Sequence, residues 1–181
     1  AAWLYVILPF LLFSVGWLRW YYAVIVVVVL VISYWRVLAT TKDFLPVDLK
    51  KHSRGIMIAL GVLVALLVFS GIGEYSYQTE DHQFRNSIFH DLVTHSWPFR
   101  LNERGNLPTL HHPILYIYYI QYWLPAALAG KVFGWAFANF FLWFWSLTGT
   151  TLTFYFLCRL FGRFSLKVLF LFLFFNTLYI Y

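Results

Sequence analysis

Residues 55–73 read GIMIALGVLVALLVFSGIG, an apolar run with no charged side chain, preceded by Lys50, Lys51 and Arg54 and followed by Glu74. Coiled as a helix it would reach about 28 Å, close to the hydrocarbon thickness of a bilayer. In lipid only helices and closed barrels satisfy every backbone group, so the run reads as a spanning helix. Its orientation follows from the charges beside it. Arg36 to Arg54 carries Arg36, Lys42, Lys50, Lys51 and Arg54 against Asp43 and Asp48, with Pro46 breaking any continuous helix. By the positive-inside rule loop 36–54 is cytoplasmic, the run travels outward, and loop 74–112 is extracytoplasmic.

Upstream, Trp3 to Leu18 and Trp20 to Trp35 are two further apolar segments separated by Arg19. Each is near the short end of what can span, and they read as a tight helical hairpin or as one span plus an interfacial segment. The β-branched run Val26 to Leu30 would suit a strand in water, but in lipid the reading is helix. Downstream, Ile114 to Gly130 reads as a span with Lys131 marking the cytoplasmic return. Phe133 to Cys158 is the longest run, and Phe164 to Tyr181 begins another. This order places Arg159, Arg163 and Lys167 outside, against the positive-inside rule. Splitting the long run would repair the bias but leave each half too short to cross.

The expectation is therefore an all-α integral membrane protein, a multi-pass helical bundle of about six spans with an amphipathic juxtamembrane helix in its extracytoplasmic loop. Residues 1–54 form an N-terminal hairpin and basic loop, and residues 55–181 the transmembrane core. Composition agrees: of 181 residues 62% are hydrophobic and 11% charged, against about 25% charged in soluble domains. Mean hydropathy is +0.72. The formal charge of +6 sits in short segments between apolar runs, which points to topology signals and membrane lipid rather than nucleic acid. Cys158 is the single cysteine, so an intramolecular disulfide and a cysteine metal cluster are excluded. Aromatic residues make up 23% of the chain, and Trp and Tyr near the run ends fit interfacial belts. The chain begins at Ala1 and stops at Tyr181 within an apolar run, which reads as part of a longer protein.

Chemistry concentrates in the loop from Glu74 to His112, which holds Glu74, Glu80, Asp81, Asp91 and Glu103 with His82, His90, His95, His111 and His112. Thr79 can cap a helix whose first turn carries Glu80 and Asp81, as the helix dipole favours. Phe84, Ile88 and Leu92 follow at four-residue spacing with Phe89 and Val93 beside them, making a short amphipathic helix on the membrane surface. Trp97-Pro98 ends it. An acid at this position can take a proton from an acceptor or hold a divalent cation against a phosphate, and it can equally do no more than answer the dipole. Asp91 and His95 share a helix face, but the histidine intervals do not stack two imidazoles one turn apart, so a dedicated zinc site is disfavoured. Arg85, one turn from Asp81, is the best placed guanidinium for a phosphate, with Arg100 and Arg104 behind it. Gln121, Asn139 and Asn176 are uncharged polar residues in the spans, suited to interhelical hydrogen bonds. No acid, lysine or arginine sits mid-span, which argues against an ion-coupled transporter.

Taken in order, Thr79-Glu80-Asp81-His82, His90-Asp91-Leu92 and His111-His112-Pro113 after an outward span resemble the GT-C membrane glycosyltransferases, in the arabinose-transferase and protein-mannosyltransferase-like branch. There the loop opens with Asp-Glu and reaches Lys-Pro-Pro. Lys131-Val132-Phe133-Gly134 and Arg159-Leu160-Phe161-Gly162-Arg163 are similar to the family's later punctuation, so the resemblance covers about Gly55 to Tyr181. The segments before Gly55 are extra, and the chain looks like the front portion of such an enzyme. The resemblance implies transfer of a sugar from a polyprenyl-phosphate-linked donor to an extracytoplasmic acceptor. It puts the key loop acid on Asp81, with Glu80 second and His82 standing where a second acid is expected. Arg85, His111 and His112 would bind donor phosphate, and a divalent cation (Mg or Mn), if used, would sit on Asp81 and Glu80. The competing expectation is a non-enzymatic multi-pass protein, a lipid-linked-substrate flippase or an assembly subunit.

Overall fold

The computed structural model describes residues 2–40, 53–98, 100–101, 114–115, 119–161 and 164–177. Over these the chain is helical apart from one two-residue strand pair. The helices are α1 (Ala2–Trp17), α2 (Trp20–Thr40), α3 (Ser53–Phe69), α4 (Glu80–Thr94), α5 (Leu124–Phe133), α6 (Trp135–Leu160) and α7 (Leu166–Thr177). Two of them, α2 and α6, are long and apolar enough to cross a membrane. The residues group into two compact units interleaved in sequence: residues 1–39 with 78–142, and residues 40–77 with 143–181.

In the first unit α1 packs chiefly against α5 and against a 3-10 turn over Ile120–Trp123, not against α2 as a tight hairpin would. Trp17 is buried at the end of α1, stacked on Phe13 with ring centroids 5.6 Å apart and tilted on Trp97 at 5.3 Å. The buried Ser14 hydroxyl donates to the Phe10 carbonyl at 2.7 Å, which satisfies a polar group inside an apolar helix. Along α2, by contrast, Ala23 is the buried residue, while Val24, Ile25, Val28, Val29, Val31 and Ile32 are exposed.

The Ile114 to Gly130 segment departs from the expected span. Ile114–Leu115 forms strand β2, antiparallel to β1 (Arg100–Leu101), with Arg100 opposite Leu115. Only ten residues then coil as α5, opened by Pro125 and stopped by Gly134 at φ 88°, whose N–H donates to the Gly130 carbonyl at 2.8 Å. At 1.5 Å per residue α5 is about 15 Å long, half a bilayer. Its small residues serve another end: Ala126, Ala127 and Gly130 are buried where α4 crosses, and a Cβ at Gly130 would lie 2.6 Å from Ala138 Cβ and 3.0 Å from Val93 Cγ2.

In the second unit α3 ends where Ser70 Oγ donates to the Leu67 carbonyl at 2.8 Å and Gly71 turns to φ 80°. A short 3-10 turn over Ile72–Glu74 follows. The core is Ala59 and Leu63 of α3, Phe154 and Cys158 of α6, and Val168 and Leu169 of α7. The pairing fixes direction. Tyr75, just past the end of α3, lies 6.2 Å from Trp143, and Gly55, at its start, abuts the Phe164 ring just past the end of α6. Residues 143–160 of α6 therefore run antiparallel to α3. This corrects the expected placement of Arg159 and Lys167: they share an end with Arg54 rather than lying opposite it, while Arg163 is outside the described residues. Three hydroxyls of α6 are satisfied along its own length, with Thr148, Thr150 and Thr153 donating to the carbonyls of Phe144, Ser146 and Gly149, whereas the buried Thr151 hydroxyl has no hydrogen-bond partner.

Candidate functional site

The site expected at the start of the loop helix is the first turn of α4. Glu80 and Asp81 occupy that turn, as the dipole favours, and Thr79 stands at the cap position with extended backbone. Its hydroxyl does not bond the free amides; it pairs with His82 Nδ1 at 2.8 Å. Gln78 ties this end down, its Oε1 accepting from Asn86 Nδ2 at 2.9 Å two turns along. The apolar side is as the spacing predicts, with Ile88, Phe89 and Leu92 buried. Its cover is different: α5 lies across it, and Trp135 packs on Phe89 at 5.3 Å, where a membrane surface was expected. Phe84 is left exposed.

Asp81 and Arg85 meet. Arg85 Nη2 and Asp81 Oδ2 are 2.7 Å apart, with side chains 53% and 62% exposed respectively. Such an open pair at i,i+4 contributes about 0.2–1 kcal/mol, so a ligand able to engage both groups can part them at small cost. The expected acid and the expected phosphate-binding base are thus a single ion pair on one helix face. Glu80, next to Asp81, projects about 100° away around the helix and is exposed. A divalent cation here would find one carboxylate held by a guanidinium and the other turned aside. Among the described residues no group of three or more His, Cys, Asp or Glu side chains assembles for a metal, and this turn does not fit one.

The histidines are dispersed rather than gathered. His82 is on Thr79, His90 lies edge-on to Trp135 at 5.2 Å, and His95 caps the helix end, its N–H donating to the Asp91 carbonyl at 2.9 Å. His95 Nδ1 and Asp91 Oδ1 are 3.9 Å apart, so these two do share a face. His111 and His112, the other expected phosphate ligands, lie outside the described residues, as do Glu103 and Arg104.

The residue that the sequence reading passed over is Lys131. Read as a topology marker, it instead closes the far end of α4: its ammonium donates to the carbonyls of Val93, at 3.3 Å, and His95, and stands 5.1 Å from the Trp97 ring centroid. Trp97 Nε1 in turn donates to the Leu92 carbonyl at 2.9 Å. Desolvation draws the Lys131 ammonium below the ordinary lysine range, while the carbonyls and the negative end of the α4 dipole favour the charge. Cations are preferred at helix C-termini, but this one comes from 36 residues beyond His95, where no local pattern points to it.

No protein-family model, no curated protein and no solved structure matches this chain.

Proposed function

We propose that the chain is a multi-pass integral membrane protein of the GT-C type. It would transfer a sugar from a polyprenyl-phosphate-linked donor to an acceptor on the extracytoplasmic face. The membrane part of the reading is supported by α2, 21 residues of mean hydropathy 2.3 whose apolar side chains have almost no protein cover. In water such a surface is unstable; in a hydrocarbon layer it needs no partner. The helices long enough to cross are α2 and α6, with the shorter apolar α1 and α3 beside them, and α5 at ten residues does not reach across.

The observation that carries the catalytic part is the exposed Asp81–Arg85 pair at the head of α4. A carboxylate and a guanidinium on one open face can divide a glycosyl transfer between them. Asp81 accepts a hydrogen bond from the acceptor hydroxyl and orients or deprotonates it, and Arg85 takes the leaving phosphate in two-pronged fashion. His82, one residue on, is paired with Thr79. No step is assigned to a metal.

One observation favours the non-enzymatic reading. Asp81 and Arg85 also satisfy each other, which is all that a plain helix-surface pair requires. The two readings part in one experiment, in which the purified protein is offered a panel of polyprenyl-phosphate sugars, wild type beside Asp81→Asn. The enzyme reading expects turnover with a donor and its loss in the variant. Equal rates in the two proteins would remove Asp81 from the mechanism, and no turnover in a folded protein would favour the flippase or assembly role.

A further inference from the structure

In the second unit, α3 and α6 stand apart around an apolar cavity of about 260 Å³, walled by Ile56, Leu60 and Leu63 on one side and Leu152 and Tyr155 on the other, with Phe164 also in the wall. Its mouth is basic. The Arg159 guanidinium lies over the ring of Tyr155, 5.8 Å from the centroid, and so stands at the edge of the cavity. Arg54 precedes Gly55, which abuts Phe164, and Lys167 follows in the first turn of α7, so all three cations belong to one end of the unit. Among the described residues of this unit the acid is Glu74, beyond the opposite end of α3. An apolar slot with cations at one end matches an amphiphile with an anionic head.

We propose that this groove holds an acyl chain of an anionic phospholipid, with the headgroup phosphate against Arg159 and further charge from Arg54 and Lys167. The site rests on the membrane reading and is independent of the glycosyltransferase reading. Charge bias assigns the basic end to the cytoplasm, where anionic lipids concentrate and where basic pockets between helices take their headgroups. An anionic amphiphile complements both the apolar walls and the positive charge at this end, whereas free phosphate would leave the walls unfilled.

The test is lipid retention. The chain is reconstituted into nanodiscs of equal dioleoyl phosphatidylglycerol and dioleoyl phosphatidylcholine, re-extracted in mild detergent, and its bound lipid counted by native mass spectrometry. Phosphatidylglycerol should be retained over phosphatidylcholine, and excess inorganic phosphate should not displace it. Arg159→Gln should lower retention about fivefold or more. Leu60→Trp should do the same with every charge intact, because Leu60 is 43% exposed and the indole can enter the groove without disturbing the core. An unchanged far-ultraviolet circular dichroism spectrum and a single gel-filtration peak verify that each variant is folded, since Cys158 itself lines the cavity. Equal retention of the two lipids, or full retention in both variants, overturns the site while leaving the membrane reading standing. Release of the chain from membranes by alkaline carbonate overturns both.

Discussion

Truncating Leu63 to Ala tests whether the second unit has the core described above. Leu63 is 1% exposed and touches the cluster of Ala59, Phe154, Cys158, Val168 and Leu169. A buried leucine makes some 40–60 atom contacts of about 0.1–0.2 kcal/mol each, so losing three of its four side-chain carbons forfeits roughly 5 kcal/mol of gross dispersion energy. Relaxation of neighbours and entry of lipid or detergent chains restores much of this, since helices in an apolar medium are held by packing rather than by exclusion of water. A net loss of about 2 kcal/mol remains, which is about 30-fold in the population of the open form. Cys158, the single cysteine and 2% exposed, reports that population directly. With a maleimide in excess and opening faster than labelling, the Leu63→Ala protein should label about 30 times faster than wild type, with Cys158→Ser as the blank. A rate within threefold of wild type would show that Leu63 and Cys158 do not share a core. So would a wild-type thiol that labels as fast as a free one.

Two further substitutions probe polar groups. Lys131→Met keeps the length of the side chain but leaves the Val93 and His95 carbonyls without their donor. Because the ammonium is partly screened, the expected cost is about 1 kcal/mol, read as about fivefold faster hydrogen exchange in the last turn of α4. Thr151→Val removes a buried hydroxyl that has no hydrogen-bond partner. An isosteric apolar group should stabilise the second unit by about 1 kcal/mol, seen as slower Cys158 labelling, and faster labelling would mean the hydroxyl is bonded after all.

How far the sequence could be read depended on whether the signal was local. The extent of α6 was legible because nothing in Trp135–Leu160 interrupts an apolar helix, and the start of α4 was legible because Glu80 and Asp81 mark it one residue after Thr79. The Asp81–Arg85 pair was implicit in four-residue spacing. What failed was everything decided by a distant partner. Ile114 to Gly130 is apolar enough for a span, but its first residues pair with Arg100–Leu101 and its last seven belong to α5, which packs on α4, two uses of hydrophobicity that a hydropathy count does not separate. The apolar face of α4 was found, but whether protein or lipid covers it depends on α5.

The antiparallel course of α3 and α6 also bears on topology. If α3 crosses outward and residues 143–160 of α6 run back beside it, the intervening chain must start and finish on the same side of the membrane. It must then contain an even number of crossings. The single crossing expected at Ile114 to Gly130 violates that parity, whereas a ten-residue α5 that does not cross satisfies it. The same step removes the anomaly in charge: with Arg159 and Lys167 at the same end as Arg54, an outward α3 would put all three on the side that the positive-inside rule requires.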